Sequence, residues 1–192
     1  IGHENILPIN INLYPFTFIP NYIDEPLVLV RKSDDSISCL SNVCTHRANI
    51  IVHNPSEQKN LRCLYHGRKF NLDGEFKSMP DFEEAKNFPR DCENLKSFPV
   101  SRLGPFLFTS LEPEFNIKKI FDEIANRLSF FKFEKLVERP DLTSEHIVKA
   151  NWAIYCENYL DPFHIPFVHK ELTSVLDINQ YKTEIYDNYN LQ

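Results

Sequence analysis

The chain has 192 residues, 42% of them hydrophobic and 13% aromatic, with a formal net charge of −6. That much apolar chain can bury a core without disulfide or metal staples, and 27 Asp and Glu against 21 Lys and Arg argue against electrostatic binding of nucleic acid. No run approaches the ~20 apolar residues of a membrane span and no charged-then-apolar leader opens the chain, so a cytoplasmic protein of one large or two small domains is expected.

Residues 1 to about 110 read as β-rich. Leu27-Val28-Leu29-Val30 is a short apolar run, Ile37 to Leu40 is another, and Ser33-Asp34-Asp35-Ser36 is the turn between them. Phe70 and Leu72, then Asp73-Gly74, then Phe76 predict a hairpin, because Asp-Gly tolerates the positive φ values of a type I′ turn. Pro105-Phe106-Leu107-Phe108 closes this half as a further strand. The character changes near residue 113. Ile117, Ile120, Phe121, Ile124 and Leu128 form one stripe of an amphipathic helix, with Asn116 as its N-cap. Residues 145–150 predict a strand. A second helix follows from about Asn151, with Trp152, Tyr155, Cys156 and Tyr159 as its apolar face. The only methionine is Met79 and the first residue is Ile1, so either the start was removed or these residues are part of a longer protein.

Five cysteines is an odd number whose spacing does not describe a disulfide framework. Cys39, Cys92 and Cys156 have no Cys or His at ligand spacing and read as small hydrophobic residues. Cys44 and Cys63 differ: the chain contains Cys44-Thr45-His46-Arg47 and, after His46 and sixteen intervening residues, Cys63-Leu64-Tyr65-His66-Gly67. A chance Cys-x-His is expected only roughly 0.2 times in such a chain, and Cys-x-x-His equally rarely. Thiolates and imidazoles together suit zinc or iron–sulfur chemistry. Structural zinc sites normally open on a Cys-x₂₋₄-Cys knuckle, whereas each loop here offers one Cys and one His. That division fits a two-iron cluster with both thiolates on one iron and both imidazoles on the other.

On these residues the chain resembles the Rieske family, and Cys44-Thr45-His46-Arg47 with Tyr65-His66-Gly67 resembles its ring-hydroxylating oxygenase version. Leu64 stands where Pro is common in that family, and Arg68 where Trp is common.

The second cluster of chemistry lies in Glu157, Asp161, His164 and His169. On a helix, Glu157, Asp161 and His164 share one face, which is equally what a solvated face looks like. Pro166 would remove a helical hydrogen bond, so the helix is expected to be distorted or broken after Leu160. An unbroken helix would put His169 about 140° around from His164, too far to share a metal. A break lets the two imidazoles converge. Two such histidines with a carboxylate from elsewhere make the facial triad of non-haem Fe(II) oxygenases.

The pattern Glu-x₃-Asp-x₂-His-x₄-His after Asn151-Trp152 is similar to the mononuclear-iron motif of Rieske oxygenase α subunits, although Ala153 replaces a frequent Lys. The resemblance covers about residues 25 to 170. It implies an all-β Rieske [2Fe–2S] domain over 1–112, then the beginning of an α+β, helix-grip catalytic domain over 113–192. It implies a cluster on Cys44, His46, Cys63 and His66, and a mononuclear iron on His164 and His169. Asp161 would bridge His164 to the equivalent of His66 in a neighbouring subunit of a head-to-tail trimer. NADH would act through a separate reductase, with or without a ferredoxin, since no Gly-rich phosphate loop exists in the chain. The implied activity is O₂-dependent hydroxylation or demethylation of a small organic substrate. The third iron ligand is expected outside these residues, because Asp177, Glu184 and Asp187 sit where the family has no ligand. The competing class is a Rieske-type electron carrier without oxygenase activity. His3, His53 and His146 carry no signal, and Tyr65 could lend a hydroxyl or merely pack.

Overall fold

The computed structural model describes residues 2–3, 7 and 10–192. It divides into two compact units, Ile1–Glu138 and Arg139–Gln192.

The first unit is built from short antiparallel strands: β1 (Gly2–His3), β2 (Leu13–Phe18), β3 (Glu25–Arg31), β4 (Ile37–Ser41), β5 (Leu61–Arg62), β6 (Lys69–Phe70), β7 (Phe76–Ser78), β8 (Ser97–Phe98), β9 (Val100–Leu103) and β10 (Phe106–Thr109). The central sheet runs β2-β3-β4-β8, beside a small β5-β6-β7 sheet and a β1-β10-β9 sheet. The run Leu27-Val28-Leu29-Val30 lies in β3, and all four residues are buried because the central sheet is covered on both faces. Val28 and Val30 pack with Leu13, Leu40, Ile51, Val52, Leu61 and Phe70, in a cluster that also contains the Cys44 and Cys63 thiols. Leu27 and Leu29 pack on the opposite side with Cys39, Phe98, Leu7 and Leu107. Each such aliphatic side chain contributes about 1.5–3 kcal/mol on full burial. A strand covered on both faces reads as continuous apolar sequence instead of alternation.

The turn between β3 and β4 falls on residues 33–36 as expected. Asp34 Oδ1 accepts from the Ser36 amide at 3.0 Å and from its hydroxyl at 2.7 Å, and Asp35 takes φ +65°. Strand β2 has no counterpart in the sequence reading. Pro15 interrupts its pattern, and the structure accommodates it on an edge strand, where a missing ladder donor is tolerated.

The β6–β7 hairpin is present, but its connection is not the tight type I′ turn that Asp73-Gly74 suggested. Only Gly74 takes a positive φ, +84°, whereas type I′ needs two such residues. The loop is wider, and the Asn71 carboxamide organises it, accepting from the amides of Asp73 and Glu75 at 3.0 and 2.9 Å. Helix α1 (Ile117–Arg127) is capped as expected, Asn116 Oδ1 accepting from the Lys118 amide at 3.0 Å. Its buried residue Phe121 packs on Phe108, so this helix belongs to the first unit.

The second unit comprises α2 (Trp152–Leu160), α3 (Ile165–Val168), α4 (Lys170–Val175) and a ribbon of β11 (Glu184–Ile185) with β12 (Asn190–Leu191). The strand expected over residues 145–150 is not formed. That segment pairs with no strand among the described residues, and Ile147 is 97% exposed. The face of α2 expected to be buried is also exposed, at Trp152, Tyr155, Cys156 and Tyr159.

Gly74 sits at φ +84°, and a Cβ there would lie 3.2 Å from both Leu40 and Leu95 side chains. Gly74→Ala is expected to destabilise the chain by about 1–2 kcal/mol, read as a lower urea midpoint at unchanged slope.

Candidate functional site

The two Cys/His segments adopt the same backbone shape. In the first, the Cys44 carbonyl accepts from the Ala48 amide at 3.0 Å and the Cys44 amide donates to the Asn49 carbonyl at 2.8 Å. In the second, the Cys63 carbonyl accepts from Gly67 at 3.0 Å and the Cys63 amide donates to Arg68 at 2.8 Å. Each loop therefore closes four residues after its cysteine, and each closing residue is left-handed, Ala48 at φ +52° and Gly67 at φ +74°. Gly is the natural occupant of such a position. Pro80 also crowds Gly67, standing 3.1 Å from the position a Cβ would take.

This shape drives both thiols into the core, with Cys44 at 3% and Cys63 at 1% exposure, and leaves both imidazoles half-buried at the rim. The His46 and His66 rings meet edge to face with centroids 4.7 Å apart. Tyr65 packs against His66 at 3.9 Å, so its ring supports the histidine. Asn49 reaches from the first loop to donate its side-chain amide to Cys63 Sγ at 3.7 Å.

The electrostatics follow from this placement. Burial pushes the Cys44 thiol up, reinforced by neighbouring Cys63 and opposed by the His46 backbone amide and the Arg68 charge. Burial pulls His46 down, and the charges of His66, Arg47 and Arg68 pull it further. His46 is thus a neutral imidazole near neutral pH, and its buried Nδ1 has no hydrogen-bond partner among the described residues. An orphaned ring nitrogen beside a second imidazole and two buried thiols is the donor set a metal group takes up. Among the described residues no three His, Cys, Asp or Glu side chains converge as a single-ion site requires. The four donors lie as a thiol pair and an imidazole pair, and a two-iron cluster needs only two protein donors on each iron.

Behind the loops lies a buried ion pair that the sequence did not announce. Arg68 and Glu93 are 2% and 5% exposed and in direct contact. Arg68 was visible only as a departure from the family pattern. Glu93 carried no signal at all, being 25 residues away in sequence.

In the second unit, α2 ends at Leu160 and the chain leaves helical geometry at Asp161, with φ −89° and ψ 107°. Pro162 is the cause, since a following proline disfavours the helical region for the residue before it. Asp161 Oδ1 then accepts from the Phe163 amide at 2.9 Å. The break after Leu160 is therefore present, while Pro166 sits in the first turn of α3, where its missing N–H costs nothing. The break brings the His164 and His169 rings to 5.1 Å between centroids. Asp161 Oδ2 lies 3.4 Å from His164 Nδ1, within ion-pair range but without hydrogen-bond alignment. These three residues, with Asn158 and Tyr181, border a cavity of about 290 Å³. Glu157 is exposed and does not border it. His53 lines a different cavity, which Arg62 and Leu64, flanking Cys63 of the second loop, also border.

Residues 18–99 match the model of the Rieske [2Fe–2S] domain. The chain is 29% identical over 88% of its length to a chloroplastic choline monooxygenase of Arabidopsis thaliana, covering 43% of that protein. It is 27% identical over 88% of its length to the carnitine monooxygenase oxygenase subunit of Escherichia coli K12, covering 46% of it. Among solved structures, a quaternary ammonium Rieske monooxygenase is similar over 99% of this chain and 52% of that one, with a TM-score of 0.70 at 20% identity. The chain thus spans less than half the length of these two curated relatives. Among the described residues no helix is long and apolar enough to cross a membrane.

The remaining thiols separate by exposure. Burial raises Cys39 to about 11, a side-chain hydrogen bond with Thr109 only partly opposing it, whereas Cys92 and Cys156 are exposed. Alkylation of the folded chain at about pH 8 is expected to label Cys92 and Cys156 and spare Cys39 until the chain is unfolded, as read by peptide mass spectrometry.

Proposed function

We propose that the chain is part of a terminal oxygenase component of the Rieske family, one that uses O₂ to hydroxylate or demethylate a small organic substrate. Reducing equivalents come from NADH through a separate reductase, with or without a ferredoxin. Cys44, Cys63, His46 and His66 would hold a Rieske [2Fe–2S] cluster, and His164 and His169 would hold a mononuclear Fe(II) with a carboxylate from elsewhere in the complete protein. When bound, the cluster supplies one-electron storage and the iron supplies O₂ activation. On this reading the Rieske domain occupies residues 1–112 and the catalytic portion begins at residue 113.

The chain's own residues do the positioning. The two loop closures hold the thiols inside and present the imidazoles outward, toward a redox partner. Asp161, beside His164 Nδ1, orients that ring, and in an assembly of several copies it addresses His66 of a neighbouring copy. Choline and carnitine, named for the two relatives, are both quaternary ammonium compounds, so that substrate class is the first to assay.

The observation that carries the reading is the pairing of thiols at the core and imidazoles at the rim on two loops of one backbone shape. Iron and sulfide analysis of the purified chain tests it. About two irons and two sulfides per chain are expected, lost together in Cys63→Ser and retained in His164→Ala. Anaerobic titration of the complete protein, which would bring the carboxylate, is expected to show one further Fe(II) taken up by the parent and not by His164→Ala. Equal uptake by both would favour the electron carrier, and zinc without sulfide would contradict the cluster.

A further inference from the structure

Arg68 and Glu93 are buried charges, and burying two ions is costly unless both are well partnered. The Arg68 guanidinium lies over the rings of Phe76, Phe88 and Phe70, at 4.9, 5.6 and 5.9 Å from their centroids. Glu93 Oε2 takes the Arg68 contact. Its Oε1 accepts from Arg90 Nε and Nη2 at 3.0 and 2.9 Å. Burial pushes the Glu93 carboxyl up, but the bonds and charges of both arginines outweigh this and hold it below the ordinary range.

The pair also joins the two Cys/His loops. The Arg68 carbonyl closes the second loop by accepting from the Cys63 amide at 2.8 Å. The Glu93 carbonyl accepts from the Thr45 hydroxyl, between Cys44 and His46, at 2.8 Å. Arg68 Nε finds no hydrogen-bond partner among the described residues, so the cation is not fully satisfied by its carboxylate. Arg68 follows His66 by two residues and its partner Glu93 holds Thr45 of the first loop, so the buried cation lies against both loops.

We propose that Arg68, clasped by Glu93 between the two loops, sets the reduction potential of the group they hold. The inference rests on the Rieske reading. One-electron reduction adds a negative charge, and a cation buried nearby in a weakly screening interior favours the reduced state. Glu93 moderates that effect and fixes the cation in place.

The test is a dye-mediated redox titration of the cluster in the full 192-residue chain, followed by its visible absorption. Glu93→Gln is expected to raise the equilibrium constant for reduction at least about threefold over the parent. The double variant Arg68→Met with Glu93→Gln, which leaves no unpaired buried charge, is expected to fall about tenfold or more below Glu93→Gln, ~59 mV for a one-electron couple. Arg68→Lys, which keeps the charge and loses the planar fork, should stay near the parent potential while melting at a lower temperature. Potentials that agree within threefold across all variants, with only melting temperatures moved, would reduce the pair to packing and overturn the proposal. If the double variant fails to fold, Glu93→Gln decides alone, and an unchanged potential there overturns it. A parent chain that holds no iron and sulfide would overturn the Rieske reading itself, an outcome distinct from a loaded parent with invariant potentials.

Discussion

The burial of two cysteine thiols in one hydrophobic core constrains most of what surrounds them. Cys44 and Cys63 are packed among Leu13, Val28, Val30, Leu40, Leu61 and Phe70, so each loop is anchored at its first residue by the interior of the sheet. The backbone then turns back within four residues, through Ala48 in one loop and Gly67 in the other, and the histidines inside those turns emerge at the rim. The spacing difference between Cys-x-His and Cys-x-x-His disappears at this level, because both loops close at the same distance from their cysteine. The result is a polar-to-apolar gradient across a few ångströms, with thiols inside and imidazoles outside.

Low polarity around the thiols has a second consequence. It lifts the Cys44 thiol and depresses His46, leaving both neutral when no group is bound. Neutral donors are inexpensive to bury, whereas the Arg68–Glu93 pair behind them is not. A buried ion pair is weak evidence for stability, and hydrophobic replacements are often neutral or better. Its presence against the loops is therefore better explained by the charge it places there than by stability. Arg68 places that charge among the rings of Phe70, Phe76 and Phe88.

Much of the first unit could be read from sequence. The runs at 27–30 and 37–40, the Asp34 turn and the Asn116 cap are local signals, each decided within a few residues. The Cys and His spacings are legible because metal-donor chemistry restricts residue type so tightly. What escaped reading was set at longer range. Strand β2 hid behind Pro15, whose acceptability depends on an edge position. Glu93 finds Arg68 only through the fold. In the second unit, apolar periodicity at Trp152, Tyr155 and Tyr159 predicted burial, yet periodicity cannot supply the partner layer. The same gap accounts for residues 145–150, whose β-propensity meets no pairing strand among the described residues. By contrast, the break after Leu160 was expected, although from Pro166, whereas its cause in the structure is Pro162 acting on Asp161.

The central claim is that one iron takes both thiolates and the other both imidazoles. Mössbauer spectroscopy of the reconstituted chain, before and after one-electron reduction, addresses it most directly. The account predicts two inequivalent irons, the sulfur-ligated one remaining ferric and the imidazole-ligated one becoming ferrous on reduction. Two equivalent irons, or a single-iron signal without sulfide, would contradict it.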